Sequence, residues 1–266
     1  MKIRIIVLLM LGSLATGAFA QDPVKERLDK SPRHVEWVEV QSGDRTIHCF
    51  VAFPEVKDKV PAVLVIHENK GLTDWVRSVA DQLAEAGYVA IAPDLLSGMG
   101  PQGGKTSDFP SIDAATKALY GLKADQTISD LNAAADFVLK QPACNGELAV
   151  AGFCWGGAQA FRFAAYQPGL KAAFVFYGSP PETKEVLARI ACPVYGFYGG
   201  NDARITATVP KTAALMKELG KTFEPVTYED AGHGFMRSGE EPQAAPANRK
   251  ARETAWERWK ALLKKI

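Results

Sequence analysis

Cysteine is scarce in this sequence of 266 residues, and no two cysteines stand close together. No C-x-x-C motif and no metal-type spacing occur, so a dithiol redox centre is not predicted and we expect no metal and no cofactor. If Cys154 is a working thiol, at most one disulfide can form among the other three. Cys49 and Cys192 stand in strand-like runs, which predicts buried core positions, and the fourth cysteine is Cys144.

An excess of charge of either sign is also lacking. Lysine and arginine number 31 against 30 aspartate and glutamate residues, which gives a formal net charge of +1. Binding to nucleic acid or to an anionic membrane surface relies on a basic excess, so neither partner is predicted. We expect a small-molecule ligand and a chain that is a monomer or a weak homo-oligomer.

No hydrophobic run is long enough to span a bilayer. The N-terminal run, residues 5–11, follows two basic residues and leads to an A-x-A motif at residues 18–20. A basic start, a short apolar stretch and such a motif are typical of a secretory signal peptide. We therefore predict that residues 1–20 are cleaved and that the mature protein is periplasmic or secreted, free of the membrane. The alternative is a retained N-terminal anchor.

Repeats and low-complexity linkers are absent, so we predict a single domain over residues 21–266. Residues 35–53 contain two alternating segments around a turn at 42–44, which predicts an antiparallel hairpin. After it, strands and helices alternate, and this order predicts the α/β class, with a mostly parallel central sheet and helices on both faces. Strands are predicted at 62–66, 88–92, 148–151, 170–177, 193–198 and 223–228, and helices at 74–86, 123–140, 207–219, after Cys154 and from 248 onward. Residues 95–110 are rich in glycine and proline and are predicted to form a long binding loop or lid.

The stretch around which this chain is organised is residues 147–157, ELAVAGFCWGG. Residues 148–151 are apolar and uncharged, which predicts a buried strand, and the residues after Cys154 have helical spacing. Cys154 thus stands between glycines at a sharp strand-to-helix turn, like the serine of G-x-S-x-G with sulfur in place of oxygen. The helix N-terminus favours thiolate over thiol. The alternative is a buried structural cysteine.

Two more residues follow predicted strands at the same edge of the sheet, namely Asp202 and, between two glycines, His233. The chain order of nucleophile, acid and histidine is that of α/β-hydrolases. We expect His233 to exchange a proton with Cys154, and Asp202 to hold the imidazole in one tautomer. The backbone N–H groups of Trp155 and Asn69 are predicted to form the oxyanion hole.

Over essentially the whole mature part, the chain resembles the dienelactone hydrolase family, whose fold is that of the α/β-hydrolases. The motifs that carry the resemblance are the G-x-C-x-G-G elbow at 152–157, H-E at 67–68, the acid Asp202 and H-x-F at 233–235. The resemblance implies a cofactor-free carboxylic ester hydrolase of the carboxymethylenebutenolidase type, which cleaves esters or lactones of small, carboxylate-bearing substrates through an acyl-thiol intermediate.

The resemblance also implies roles for two further side chains. Glu68 is expected to be buried, to contact the Cys154 thiol and to take up its proton; the alternative is an exposed loop glutamate. Arg237 is expected to grip a substrate carboxylate; the alternative is a surface arginine without a ligand. Relatives that hydrolyse dienelactone use a second arginine in the loop after Asp94, where this chain offers only Lys105. This departure and the predicted export argue against dienelactone itself as the substrate.

Other functions are compatible with the same motifs. The triad can also act on thioesters or short acyl esters. Two alternative functions belong to other classes of protein, namely a small-ligand-binding protein without catalysis and a redox-responsive thiol protein. The presence of all three triad residues argues against the first, and the lack of a C-x-x-C partner argues against the second.

Overall fold

The computed structural model describes residues 23–181 and 183–266, so the predicted signal peptide lies outside the described residues. Eight strands are present in this part of the chain: β1 Val35–Ser42, β2 Arg45–Ala52, β3 Val60–Ile66, β4 Val89–Pro93, β5 Cys144–Phe153, β6 Leu170–Phe176, β7 Val194–Gly199 and β8 Phe223–Tyr228. The helices are α1 Pro23–Asp29, α2 Asp74–Glu85, α3 Ile112–Tyr120, α4 Ala124–Leu139, α5 Trp155–Phe163, α6 Lys184–Ala188, α7 Ala203–Thr206, α8 Val209–Glu218, α9 Phe235–Ser238 and α10 Pro246–Leu263.

All eight strands form one sheet in the order β1-β2-β4-β3-β5-β6-β7-β8. The first two strands form the predicted antiparallel hairpin, and β2 pairs with β4 in antiparallel orientation. Every remaining pair is parallel. The predicted α/β-hydrolase arrangement is therefore confirmed. The strand order reverses between β3 and β5, and in parallel sheets a crevice opens at such a point, beyond the carboxyl ends of the strands.

Both faces of the sheet are apolar because both are covered by helices. In β3, Leu64 and Ile66 point into the core under α4, α5 and α8, whereas Val63 and Val65 pack on the opposite face with α2 and α10. The sequence of a strand that is buried on both faces is a continuous apolar run, without the alternation of polar and apolar residues. For this reason β3, β5 and β6 could be predicted from composition.

The structure contains helices that the sequence analysis did not predict: α1, α3, α6, α7 and α9. The helix α3 lies just beyond the glycine-rich segment and begins at Ser111, whose side chain accepts a hydrogen bond from the Ala114 N–H. The helix predicted over residues 207–219 begins two residues later, at Val209, and α7 precedes it. Pro210 explains this boundary, since proline is tolerated in the first turn of a helix but not farther inside.

The long segment over residues 95–110 is tied to the body of the protein by a buried carboxylate. Asp94 directly follows β4 and accepts hydrogen bonds from the backbone N–H and the hydroxyl of Thr106, at 2.9 and 2.6 Å. The Thr106 hydroxyl in turn accepts the Leu72 N–H. These bonds join the segment to the loop after β3, so the two form adjacent walls above the sheet. Among the helices that the structure describes, none has both the length and the apolar character needed to cross a membrane.

Candidate active site

Cys154 occupies a tight turn between β5 and α5. Its backbone angles are φ 56° and ψ −115°, a conformation that costs a non-glycine residue energy and that is concentrated at functional sites. Glycine is required on both sides of it. A side chain at Gly152 would overlap the Gly156 carbonyl, and one at Gly156 would overlap the carbonyls of Ile66 and His67. The turn therefore presses the start of α5 against the end of β3, and the thiol is left half-exposed.

The three predicted triad residues come together at this edge of the sheet. The Nε2 atom of His233 lies 3.0 Å from Cys154 Sγ, and its Nδ1 atom lies 2.6 Å from Asp202 Oδ2. Asp202 follows β7 and is buried, whereas His233 lies in the loop between β8 and α9. Residues from three separate strand ends thus form one hydrogen-bonded chain from thiol to carboxylate.

The surroundings of His233 favour its charged form. The hydrogen bond with Cys154 raises the pKa of the imidazole most, burial lowers it, and the bond to Asp202 raises it further, with the result at about 9. An imidazolium between a sulfur and a carboxylate is the arrangement expected when the cysteine proton has moved to the histidine.

Glu68 is buried, as the resemblance implies, but its partner differs from the expected one. Its Oε2 atom accepts a hydrogen bond of 2.9 Å from Arg237 Nε, and within residues 23–181 and 183–266 no hydrogen bond joins it to the Cys154 thiol. A buried carboxylate requires a partner, and a guanidinium supplies both charge and a directed N–H group. The expected thiol contact is therefore absent from this conformation.

Arg237 has two internal partners. Besides Glu68, it pairs with Glu241 at 3.4 Å, and about a third of its side chain remains exposed. Its guanidinium is therefore shared between two carboxylates. A role in gripping a substrate carboxylate stays a prediction.

The predicted oxyanion donors lie on the two loops that the elbow brings together. Trp155 is the first residue of α5, where backbone N–H groups have no acceptor inside the helix. Asn69 lies in the loop after β3, whose start at His67 is in contact with the elbow at Gly156. The two N–H groups therefore belong to neighbouring segments.

His67 and Tyr177 have positions in the site that sequence reasoning missed. His67 is fully buried, and its ring stacks on Trp155 at 5.7 Å between centroids. The Leu95 N–H donates to its Nε2 atom, so Nδ1 carries the proton and donates to the Glu68 carbonyl at 2.8 Å. Burial lowers the pKa of His67, which favours the neutral ring. The H-E motif at residues 67–68 was the sequence signal from which a role of His67 in the site could have been predicted.

Tyr177 follows β6 and is fully buried, with its ring edge-on to His233 at 5.0 Å. Burial raises the pKa of its hydroxyl well above the ordinary value. Its positive φ of 40° could not be read from the sequence, because tyrosine is common at strand ends without such a conformation.

Lys105 does not replace the missing arginine. Its Nζ atom stands 4.4 Å from the centre of the Trp37 ring, in a cation–π contact with β1. In the described part of the chain, no group of three or more histidine, cysteine and acidic residues could hold a metal ion.

Comparison with known proteins agrees with the geometry. The sequence pattern of the Dienelactone hydrolase family matches residues 47–266. A protein of Methylorubrum extorquens named "Putative carboxymethylenebutenolidase" is 32% identical over 240 residues, covering 84% of this chain and 81% of that protein. A Bradyrhizobium protein named "Probable 2-oxo-3-(5-oxofuran-2-ylidene)propanoate lactonase" is 26% identical over 213 residues, covering 76% of this chain and 84% of that protein.

A crystal structure of a "Putative Dienelactone Hydrolase" from Klebsiella pneumoniae superposes with a TM-score of 0.77 at 26% identity, and covers 88% of this chain and 99% of that one. The chain belongs to the dienelactone hydrolase family of α/β-hydrolases, whose members are hydrolases of the carboxymethylenebutenolidase type.

Proposed function

We propose that the protein hydrolyses ester or lactone bonds of small substrates with Cys154 as nucleophile, His233 as acid and base, and Asp202 as its orienting carboxylate. The observation that carries the proposal is the pair of hydrogen bonds on His233, at 3.0 Å to sulfur and 2.6 Å to carboxylate oxygen. Both distances are within reach for proton transfer, and each ring nitrogen has the partner that its role requires.

The reaction follows from this geometry. The Cys154 sulfur attacks the substrate carbonyl carbon while His233 holds the thiol proton. The carbonyl oxygen becomes an oxyanion, which the N–H groups of Trp155 and Asn69 stabilise. His233 then gives its proton to the leaving alcohol oxygen as the carbon–oxygen bond breaks, and an acyl-thioester remains on Cys154. A water that loses a proton to His233 attacks the thioester, and the carboxylic acid leaves as the thiol re-forms.

Glu68 belongs to the same proposal as an additional proton acceptor for the thiol. In the structure its carboxylate is held by Arg237, so acceptance of the thiol proton requires this ion pair to open. Substrate entry beside Arg237 would have to displace the guanidinium from Glu68 for this proton transfer to occur.

The substrate class is supported by the relatives and by the cavity that adjoins the site. One relative is named as a lactonase of a propanoate that carries a furanone ring, which combines a lactone with a carboxylate. The cavity has a volume of about 720 Å³ and shares Glu68 and Arg237 with the site, which suits a small organic substrate. Thioesters and short acyl esters are the alternative substrates.

The test is hydrolysis of p-nitrophenyl acetate by the mature wild type and by Cys154→Ala, with intact mass spectrometry of both proteins. We expect Cys154→Ala to reduce kcat/KM by at least about a thousandfold and to unfold like the wild type, since the side chain lies at a turn. A mass increase of one acetyl group, localised to Cys154, is expected for the wild type alone. Equal rates of the two proteins would contradict the mechanism and favour the ligand-binding or redox function.

We also propose that the protein acts outside the cytoplasm after removal of residues 1–20. The support is the basic start, the apolar run at 5–11 and the A-x-A motif of the sequence. N-terminal sequencing of the protein from a periplasmic fraction checks this, and we expect it to begin at Gln21. Recovery only with Met1 in the cytoplasmic fraction would contradict the proposal.

A further inference from the structure

The cavity beside the candidate active site has an apolar side and a charged side. Trp75, Phe109 and Ile112 supply much of the apolar side, from α2 and from the segment that precedes and begins α3. On the charged side, Glu68 and Arg237 border the catalytic residues, and Lys70 lies two residues beyond Glu68 in the same loop. A ligand in this cavity therefore meets an apolar wall and charged groups at once.

Most charges around the cavity are neutralised within the protein. Asp74 pairs with Arg77, Glu240 with Arg252 at 2.8 Å, and Arg237 with both Glu68 and Glu241. Each of the four acidic residues that line the cavity thus has an arginine partner.

Lys70 is different from these residues. It lines the cavity and is half-buried, yet within residues 23–181 and 183–266 it forms no ion pair. Lys70 is therefore a cation of the cavity wall that remains available to pair with an anionic ligand. Arg237 is less available for this task because two carboxylates already contact it.

We propose that Lys70 binds an anionic group of the substrate, and that the cavity selects carboxylate-bearing esters or lactones with an apolar body. The inference rests on the proposed function and names the specificity residue of that site. The apolar body packs on Trp75, Phe109 and Ile112, while the carboxylate lies at the loop after β3. Glu68 and Arg237 line the cavity between Lys70 and the loop of His233, so the ester end of such a substrate must extend past them to reach Cys154.

The first test compares an anionic and a neutral ester with the same leaving group, mono-p-nitrophenyl glutarate and p-nitrophenyl butyrate. We expect Lys70→Gln to lower the ratio of kcat/KM for the anionic over the neutral ester about tenfold, chiefly through KM. Lys70→Arg restores most of the ratio. Lys117→Gln removes an exposed lysine of α3 that does not line the cavity, and both rates should equal those of the wild type.

Arg237→Gln separates the two candidate cations. This variant leaves Glu68 buried without its partner, so we expect it to slow both esters alike. A loss confined to the anionic ester in Arg237→Gln, with no change of the ratio in Lys70→Gln, would overturn the assignment and make Arg237 the ligand. An equal decrease of kcat/KM for both esters in Lys70→Gln would show that Lys70 contributes to the shape of the cavity and does not discriminate between charged and neutral substrates.

A binding experiment keeps this inference independent of catalysis. Calorimetric titration of 3-phenylpropionate and its neutral amide into the wild type, Lys70→Gln and Lys117→Gln needs no turnover. We expect Lys70→Gln to weaken only the anion, about tenfold. Preferential binding of the anion without Cys154-dependent hydrolysis would contradict the proposed function and support the anion site. Cys154-dependent hydrolysis without charge selectivity would defeat the anion site alone.

Discussion

At the residue scale, the proposed chemistry depends on the proton of His233. The bond to Cys154, more than the bond to Asp202, raises its pKa from 6.5 to about 9. In the unfolded chain the imidazole loses its proton near its ordinary pKa of 6.5. Between this pH and about 9, the folded protein therefore keeps a proton that the unfolded chain has lost. The stabilisation is fully present below pH 6.5 and is lost as the pH rises through about 9.

The same shift predicts the alkaline limb of the pH–rate profile. For an ethyl ester or a γ-lactone, whose leaving oxygen needs a proton, kcat/KM should fall as the pH rises through about 9. Steady-state rates across this range check it. In Asp202→Asn the fall should begin at lower pH, because one of the groups that raise the pKa is removed. A wild-type profile that stays flat well above pH 9 would mean that His233 is not the proton donor.

Burial distinguishes the remaining cysteines from Cys154. Cys49, Cys144 and Cys192 are buried and all four cysteines are free thiols. Burial raises the pKa of Cys49 and takes that of Cys192 to about 11, so both stay protonated near neutral pH. The expected burial of Cys49 and Cys192 is confirmed, although Cys192 lies just before β7 rather than inside a strand. None of these three residues is joined to Cys154 by a disulfide in the structure.

At the scale of elements, the site depends on how closely α5 can approach β3. Gly156 stands in the first turn of α5 with its Cα against the carbonyls of Ile66 and His67. This contact sets the distance between the Trp155 N–H and the loop that carries Asn69. The oxyanion donors are therefore positioned by backbone packing between two elements, and a side chain at residue 156 would separate them.

Replacing Gly156 with alanine should damage stability and activity together. The new methyl group overlaps two backbone carbonyls, so we expect the free energy of unfolding to fall by about 2 kcal/mol or more, and kcat to fall at least tenfold. Urea unfolding and ester hydrolysis measure the two effects. The matched control is Gly169→Ala in an exposed turn, whose added methyl group would only touch a flexible glutamine, with a change within about 0.5 kcal/mol. Wild-type kcat in Gly156→Ala would contradict this account of the oxyanion hole.

At the scale of the whole molecule, the sheet brings distant parts of the chain to one edge. Cys154, Asp202 and His233 follow β5, β7 and β8, and Glu68 follows β3. Helices on both faces bury the sheet, so polar side chains can gather only where the strands end. Cys49, Cys144 and Cys192 are buried as free thiols, so the core of the described residues is packed without a disulfide.

The sequence by itself determined the sheet, the elbow and the residues of the proposed triad, because each depends on local pattern. Apolar runs mark β3, β5 and β6, glycines around Cys154 mark a turn that only they permit, and the order of nucleophile, acid and histidine follows from strand succession. The short helix α3 escaped prediction, since its nine residues adjoin a segment rich in glycine and proline.

Which charged residues form ion pairs could be seen only in the tertiary structure. Glu68 and Arg237 are 169 residues apart in the chain, and nothing in either local sequence specifies their ion pair. The ring bonds of His67 join the ends of two strands, and the position of Lys105 over Trp37 depends on the fold of the 95–110 segment. Two charged residues form an ion pair when the fold brings them close together and when a buried charge requires a partner. The spacing of residues along the chain specifies neither condition.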